Sequence, residues 1–108
     1  MESSVWGFRI PIKDSFSLNL PDSAKMLDVK VVNGTPQLYV LIREDWDSQK
    51  KVFIRLFRTS ERFIMPDLEQ WAYVGSFESD GYFHVFADAK FVYQDELSPL
   101  PAADGGKE

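Results

Sequence analysis

Apolar and polar residues alternate along most of this chain. Trp6, Phe8, Ile10 and Ile12 are separated by Gly7, Arg9 and Pro11, and Phe16, Leu18 and Leu20 by Ser17 and Asn19. Leu27, Val29 and Val31 alternate with Asp28 and Lys30, and Leu38, Val40 and Ile42 with Tyr39 and Leu41. A period of two sends successive side chains to opposite faces, so each run predicts a strand with one buried face. Pro11 has no amide hydrogen to donate, which places the first strand at a sheet edge or bends it there. Residues 51–58 differ. Val52, Ile54 and Leu56 share one face while Phe53 and Phe57 share the other, the pattern of a strand covered on both sides. Residues 71–77 and 82–87 predict two further strands, and Phe91-Val92-Tyr93 a short addition.

Turn residues separate these runs. Asn33-Gly34 is the sharpest signal, because both tolerate the positive φ of a type I′ hairpin turn; Thr35-Pro36 leaves a longer loop open. Lys13-Asp14-Ser15, Pro21-Asp22-Ser23 and Ser79-Asp80-Gly81 mark other turns. Residues 44–50 read as a polar connection containing Trp46. Residues 59–70 carry the weakest pattern, and Pro66 to Gln70 predict one short helical turn. The fold class expected is mainly β: a compact antiparallel β-sandwich or small open barrel of about seven or eight strands. Residues 1–93 form one β domain, and 94–108, rich in Pro, Ala, Asp and Gly, an acidic tail without periodicity that is expected to be mobile.

Composition narrows the function classes. A chain of 108 residues is long enough for one core. Aromatic residues make up 15%, which favours strands. There is no cysteine, which removes disulfides, cysteine nucleophiles and thiolate metal sites together. The net charge of −5 is divided unevenly, with +2 on residues 1–58 and −7 on residues 59–108. An acidic half argues against direct nucleic-acid binding, which needs clustered Lys and Arg. Neither an apolar run long enough to span a bilayer nor a signal-peptide layout is present, so the expected location is cytoplasmic. Asn33-Gly34-Thr35 matches a glycosylation acceptor, but without a secretion signal it reads as a turn.

Candidate chemistry is sparse. His84 is the only histidine, on a strand face with Tyr82 and Phe86. It could serve a general base or triad, yet no nucleophile elbow accompanies it, and a structural role is the simpler reading. Glu44-Asp45-Trp46-Asp47 lacks the length and glycine of a calcium loop. Phosphate-cradling glycine motifs are missing. No catalytic residue, metal or cofactor is therefore expected. Exposed aromatics are the better lead: Trp46, Tyr39, Phe53 and Phe57, with Arg55 and Arg58 nearby, are residue types that anchor interfaces. If the second sheet face is open they form an apolar, arginine-flanked patch; otherwise residues 59–70 or a second subunit cover it.

Four stretches carry a resemblance. Leu20-Pro21-Asp22-Ser23-Ala24-Lys25-Met26-Leu27-Asp28-Val29 is similar to a Met-Pro-x-Gly-Ala-x-x-Leu-x-Val motif. Asn33-Gly34 followed by Leu38-Tyr39-Val40-Leu41-Ile42 resembles an Asn-Gly and Leu-Trp-Ala-Leu-Val pair. Tyr73-Val74-Gly75-Ser76-Phe77-Glu78 resembles Tyr-Ile-Gly-Thr-Phe-Gln, and Phe83-His84-Val85-Phe86 matches a closing Phe-His-Val-Phe. In this order, over about residues 8–87, they resemble a family of small β-domain proteins from tailed bacteriophages and prophages. The family's Gly-Thr-Gly-His-like turn is replaced here by Arg58-Thr59-Ser60-Glu61-Arg62, so no role of that turn carries over. The resemblance implies a phage origin and a compact β fold, and no settled activity.

The function expected is that of a non-enzymatic, phage-type protein that binds a host protein, with inhibition of a bacterial defence component as one form of it. The alternatives are a binder that sequesters a nucleotide signal, with Arg55 and Arg58 near Trp46 or Trp71, and a self-associating structural or virion protein, for which a homodimer is one form.

Overall fold

The computed structural model describes residues 2–43, 48–64 and 68–94. Seven strands build two antiparallel sheets: β1 (Ser3–Arg9), β2 (Ser15–Pro21), β3 (Lys25–Val32), β4 (Thr35–Arg43), β5 (Gln49–Arg58), β6 (Trp71–Glu78) and β7 (Tyr82–Asp88). A three-stranded sheet has the order β1-β4-β3, and a four-stranded sheet the order β2-β5-β7-β6. The two face each other as a sandwich and do not close into a barrel. The helical content among the described residues is two single 3₁₀ turns, Leu68–Gln70 and Ala89–Phe91. The tail beyond residue 94 and the Trp46 loop lie outside the described residues.

The inward alternation is carried most cleanly by the middle of the chain. Leu38, Val40 and Ile42 of β4 and Val52, Ile54 and Leu56 of β5 are buried, while the residues between them face outward. Leu20, Met26, Val29, Val74, Phe77, Phe83, Val85 and Ala87 complete the core from the other strands. Apart from Ala87, each such side chain contributes roughly 1.5–3 kcal/mol by leaving water. Val32 pairs with Thr35, so the β3–β4 hairpin turns on Asn33 and Gly34 alone, at φ 51° and 79°. This is the type I′ geometry whose twist suits the flanking strands.

Three strands depart from simple alternation, β6 among them, where the register slips between Tyr73 and Gly75 and brings Val74 and Phe77 both into the core. In β3 the register slips between Met26 and Asp28. The bulge lets Met26 and Val29 both enter the core and turns Leu27 outward, against the sequence expectation of Leu27, Val29 and Val31 as one buried face. At the start of the chain, β1 already begins at Ser3 and ends at Arg9. Ile10 leaves the strand, is buried, and donates its amide to the Pro36 carbonyl at 3.1 Å, while Ile12 is exposed. The run from Trp6 to Ile12 is thus a strand that ends at Arg9 and a connection in which Pro11 precedes a bend at residues 12–14.

The two long sides of the sandwich are unlike. On one side β3 lies against β6. A Cβ on Gly75 would stand 2.9 Å from Asp28 Oδ1 and 3.2 Å from Val29 Cγ1, so the two sheet edges meet with no room for a side chain. The chain after β7 finishes this closure: Val92 bridges Met26, and the Tyr93 amide donates to the Met26 carbonyl at 2.8 Å. On the other side β1 and β2 are the terminal strands of their sheets.

Candidate functional site

The register of the four-stranded sheet fixes which side chains share its outer face. Asn19 pairs with Lys51, and Ser17 with Phe53. Ser15 pairs with Arg55, Arg55 with Phe86, and Phe86 with Tyr73. Phe57 pairs with His84, and His84 with Ser76. Trp71 stands opposite Asp88. Alternation thus lays a continuous aromatic surface across β5, β7 and β6: Phe53, Phe57, Phe86, Tyr73 and Trp71.

Three of these rings, Phe57, Phe86 and Tyr73, are fixed by contacts with one another. Phe86 meets Phe57 edge-on at 5.9 Å and Tyr73 edge-on at 5.3 Å between centroids. Phe63, from the connection after β5, stacks on Phe57 at 3.6 Å. That contact leaves Phe57 only 3% exposed, whereas Phe53 remains 57% exposed. Residues 59–64 therefore cover one end of the face and leave the other open. Arg55 places its guanidinium 4.9 Å from the Phe57 centroid, a cation–π distance.

His84 lies at the covered end. Its Nε2 is 2.7 Å from Thr59 Oγ1, and its Nδ1 is 3.0 Å from Tyr73 Oη. In a neutral imidazole one nitrogen donates and the other accepts, so one hydroxyl accepts a hydrogen bond from the ring while the other donates one to it. A tyrosine hydroxyl stands where a Ser-His-Asp triad has the carboxylate that stabilises the imidazolium. The geometry is that of a clamp tying β7 to β6 and to the chain leaving β5.

Two shallow hollows mark the face. One, of about 170 Å³, is lined by Lys51, Phe53, Gln70, Trp71 and Asp88. The other, of about 240 Å³, lies among Phe57, Phe63, Tyr73, His84 and Phe86. Among the described residues no cluster of three or more His, Asp or Glu is placed to hold a metal. None of their helices is long and apolar enough to cross a membrane.

Of the residues singled out from sequence, Phe53, Arg55 and Phe57 are brought together on this face. Tyr39 is not: it belongs to β4, outward on the opposite sheet, with its ring over Gly7 of β1. Alternation reveals that Tyr39 points away from the core but not which sheet carries it. Arg58 is turned to the end of the strand. Its guanidinium lies 4.5 Å over the Phe83 ring, and its Nη1 donates to the Asp80 carbonyl at 3.3 Å, bracing the β6–β7 turn. Trp46 lies outside the described residues. Sequence reasoning missed Phe63, Tyr73 and Phe86 as members of the face; the outward phase of β6 and β7 was the signal for the last two, and Phe63 had none.

Comparison with curated proteins and with solved structures finds no match in either. A family model does match, over residues 1–95, and spans every described strand. The chain belongs to the family of that model, DUF7352, a domain of unknown function.

Proposed function

We propose that this chain is a non-enzymatic binding protein that engages another protein through the outer face of the β2-β5-β7-β6 sheet. The observation that carries this reading is Phe53, 57% exposed on the same face as the packed rings of Phe57, Phe86 and Tyr73, with Arg55 on its own strand and Trp71 lining a hollow with it. Rigid aromatic and arginine side chains held in place before binding lose little freedom on association and dominate interface energetics. A fitting partner offers apolar side chains to Phe53 and Trp71 and a carboxylate to Arg55. The two hollows fall below the ~300 Å³ that sites for small organic ligands commonly reach. This favours a protein surface over sequestration of a nucleotide. The hydroxyl partners of His84 favour a structural histidine over a catalytic one.

The likeness of four motifs to phage and prophage proteins supports a host protein as the partner, met in the bacterial cytoplasm, with inhibition of a defence component as the outcome. The test is native mass spectrometry of the tagged protein recovered from bacterial lysate, alongside Phe53→Asp. A host subunit bound to the native chain, lost with Phe53→Asp and rebound from purified components, supports the reading. A mass excess of one small molecule replaces it with sequestration.

A further inference from the structure

We infer that the outer face of the β1-β4-β3 sheet binds single-stranded nucleic acid, with Tyr39 as the platform for one base and Arg9, Lys25, Lys30 and Arg43 as phosphate contacts. Register fixes which side chains share this face. Arg43 stands opposite Ser3, and Leu41 lies between Val5 and Lys25. Tyr39 lies between Gly7 and Asp28, and Gln37 between Arg9 and Lys30. Tyr39 is therefore central, with cations in the rows to either side of it and successive rows about 7 Å apart.

Of the five charged side chains that the three strands turn to this face, four are basic. The fifth, Asp28, is turned to the β6 edge, where its Oδ1 accepts from the Val29 amide at 2.8 Å and bounds the space at Gly75. Arg9, Lys30 and Arg43 are exposed. Lys25, half-buried, donates one ammonium hydrogen to the Lys90 carbonyl at 2.6 Å and keeps its charge on the face. The net charge of −5 hides this cluster, because Glu69, Glu78, Asp80 and Asp88 sit on or beside β6 and β7, in the other sheet. The acidic balance that argues against nucleic acid thus belongs to the other side of the molecule. Clustered cations are what phosphate binding needs, since each neutralised phosphate releases condensed counterions.

Tyr39 selects among anionic partners. Its ring leans over Gly7, where a Cβ would stand 3.4 Å from Tyr39 Cε1 and 2.8 Å from Gln37 Oε1. The missing side chain lets the ring rest against β1, half-buried, instead of standing out into solvent. A ring supported by backbone and flanked by cations is what stacks an unpaired base. Gln37, in the next row, carries an amide that can donate to or accept from a base edge. A duplex keeps its bases stacked on one another, and a carboxylate-bearing polypeptide would engage the cations alone. The face therefore fits a single strand better than either.

The test is fluorescence anisotropy of the full chain with labelled oligothymidylate and oligouridylate of about twelve nucleotides, a length one small β module covers. Binding is expected at low salt, with log K falling against log salt at a slope of about −3, as for four phosphates of a single strand. Tyr39→Ala should weaken it about 5- to 150-fold, the equivalent of one base stack. Lys30→Ala, at an exposed position, should make the slope shallower by about 0.7 with unchanged circular dichroism. Phe53→Asp, on the opposite sheet, should leave oligonucleotide binding as it is, which keeps the outcome separate from that of the aromatic face. No binding of either oligonucleotide at low salt overturns the inference, as does binding that Tyr39→Ala and Lys30→Ala leave intact. Polyglutamate that competes as well as the oligonucleotides replaces nucleic acid with an acidic polypeptide, and loss of binding with Phe53→Asp moves the contact to the other sheet.

Discussion

At the scale of single residues, the outer aromatic face divides into a part that holds the fold and a part that does not. Phe57 is buried under Phe63 although it points away from the core, and Phe53, four positions earlier on the same face, is open. Truncating Phe57 to alanine should cost about 3–5 kcal/mol, as for other buried phenylalanines. Phe53→Ala should stay within about 0.5 kcal/mol, as surface changes usually do. Urea unfolding followed by tryptophan fluorescence distinguishes the two, and equal losses would contradict the division. The sequence marked both residues as outward but could not separate them. The ring that covers Phe57 comes from a loop with no periodicity, and stacking between residues 57 and 63 has no sequence signature. For the same reason the hydroxyl partners of His84 were illegible, since they are brought to it from 11 and 25 residues away by strand pairing.

At the scale of elements, the alternating runs of β2, β4, β5 and β7 were readable because each keeps one phase from end to end, whereas β6 was readable as a strand but changes phase between Tyr73 and Gly75. β3 was readable as a strand but not in its phase, since a bulge inserts one residue at Leu27 and shifts the phase of the residues beyond it. The turn at Asn33-Gly34 was readable in geometry as well as position, because two consecutive positive φ values demand such residues. Gly75 escaped notice beside the β6 bulge, which strand alternation does not mark. Its role exists only where β6 meets β3, and it is decided by the 2.9 Å that a Cβ would have to Asp28 Oδ1. Gly75→Val should cost about 1–3 kcal/mol through displacement of Asp28 and Val29. A thermal melt checks this, and an unchanged midpoint would mean that the two edges part without penalty.

At the scale of the whole molecule, the mainly β class, as a sandwich or small open barrel of about seven or eight strands, came from spacing and turns alone. The assignment of strands to sheets did not, and this is why Tyr39 was grouped with Phe53 when the fold sets them on opposite sheets. Pairing partners are chosen by chain crossings between sheets, which local alternation does not encode. The difference between the two long sides of the sandwich was equally invisible, because it arises from contacts of β3 with β6 and with residues near the end of the domain. That difference makes the protein resemble a book. The β3–β6 side, tied by Gly75, Met26, Val92 and Tyr93, is the spine, and β1 and β2 are the fore-edge. Thermal opening then starts at the fore-edge and stops at the spine. Hydrogen–deuterium exchange mass spectrometry should show the amide hydrogens of β1 and β2 exchanging first and those of β3 and β6 only with global unfolding. The core would thus be wetted from one direction, between β1 and β2, well before the fold is lost.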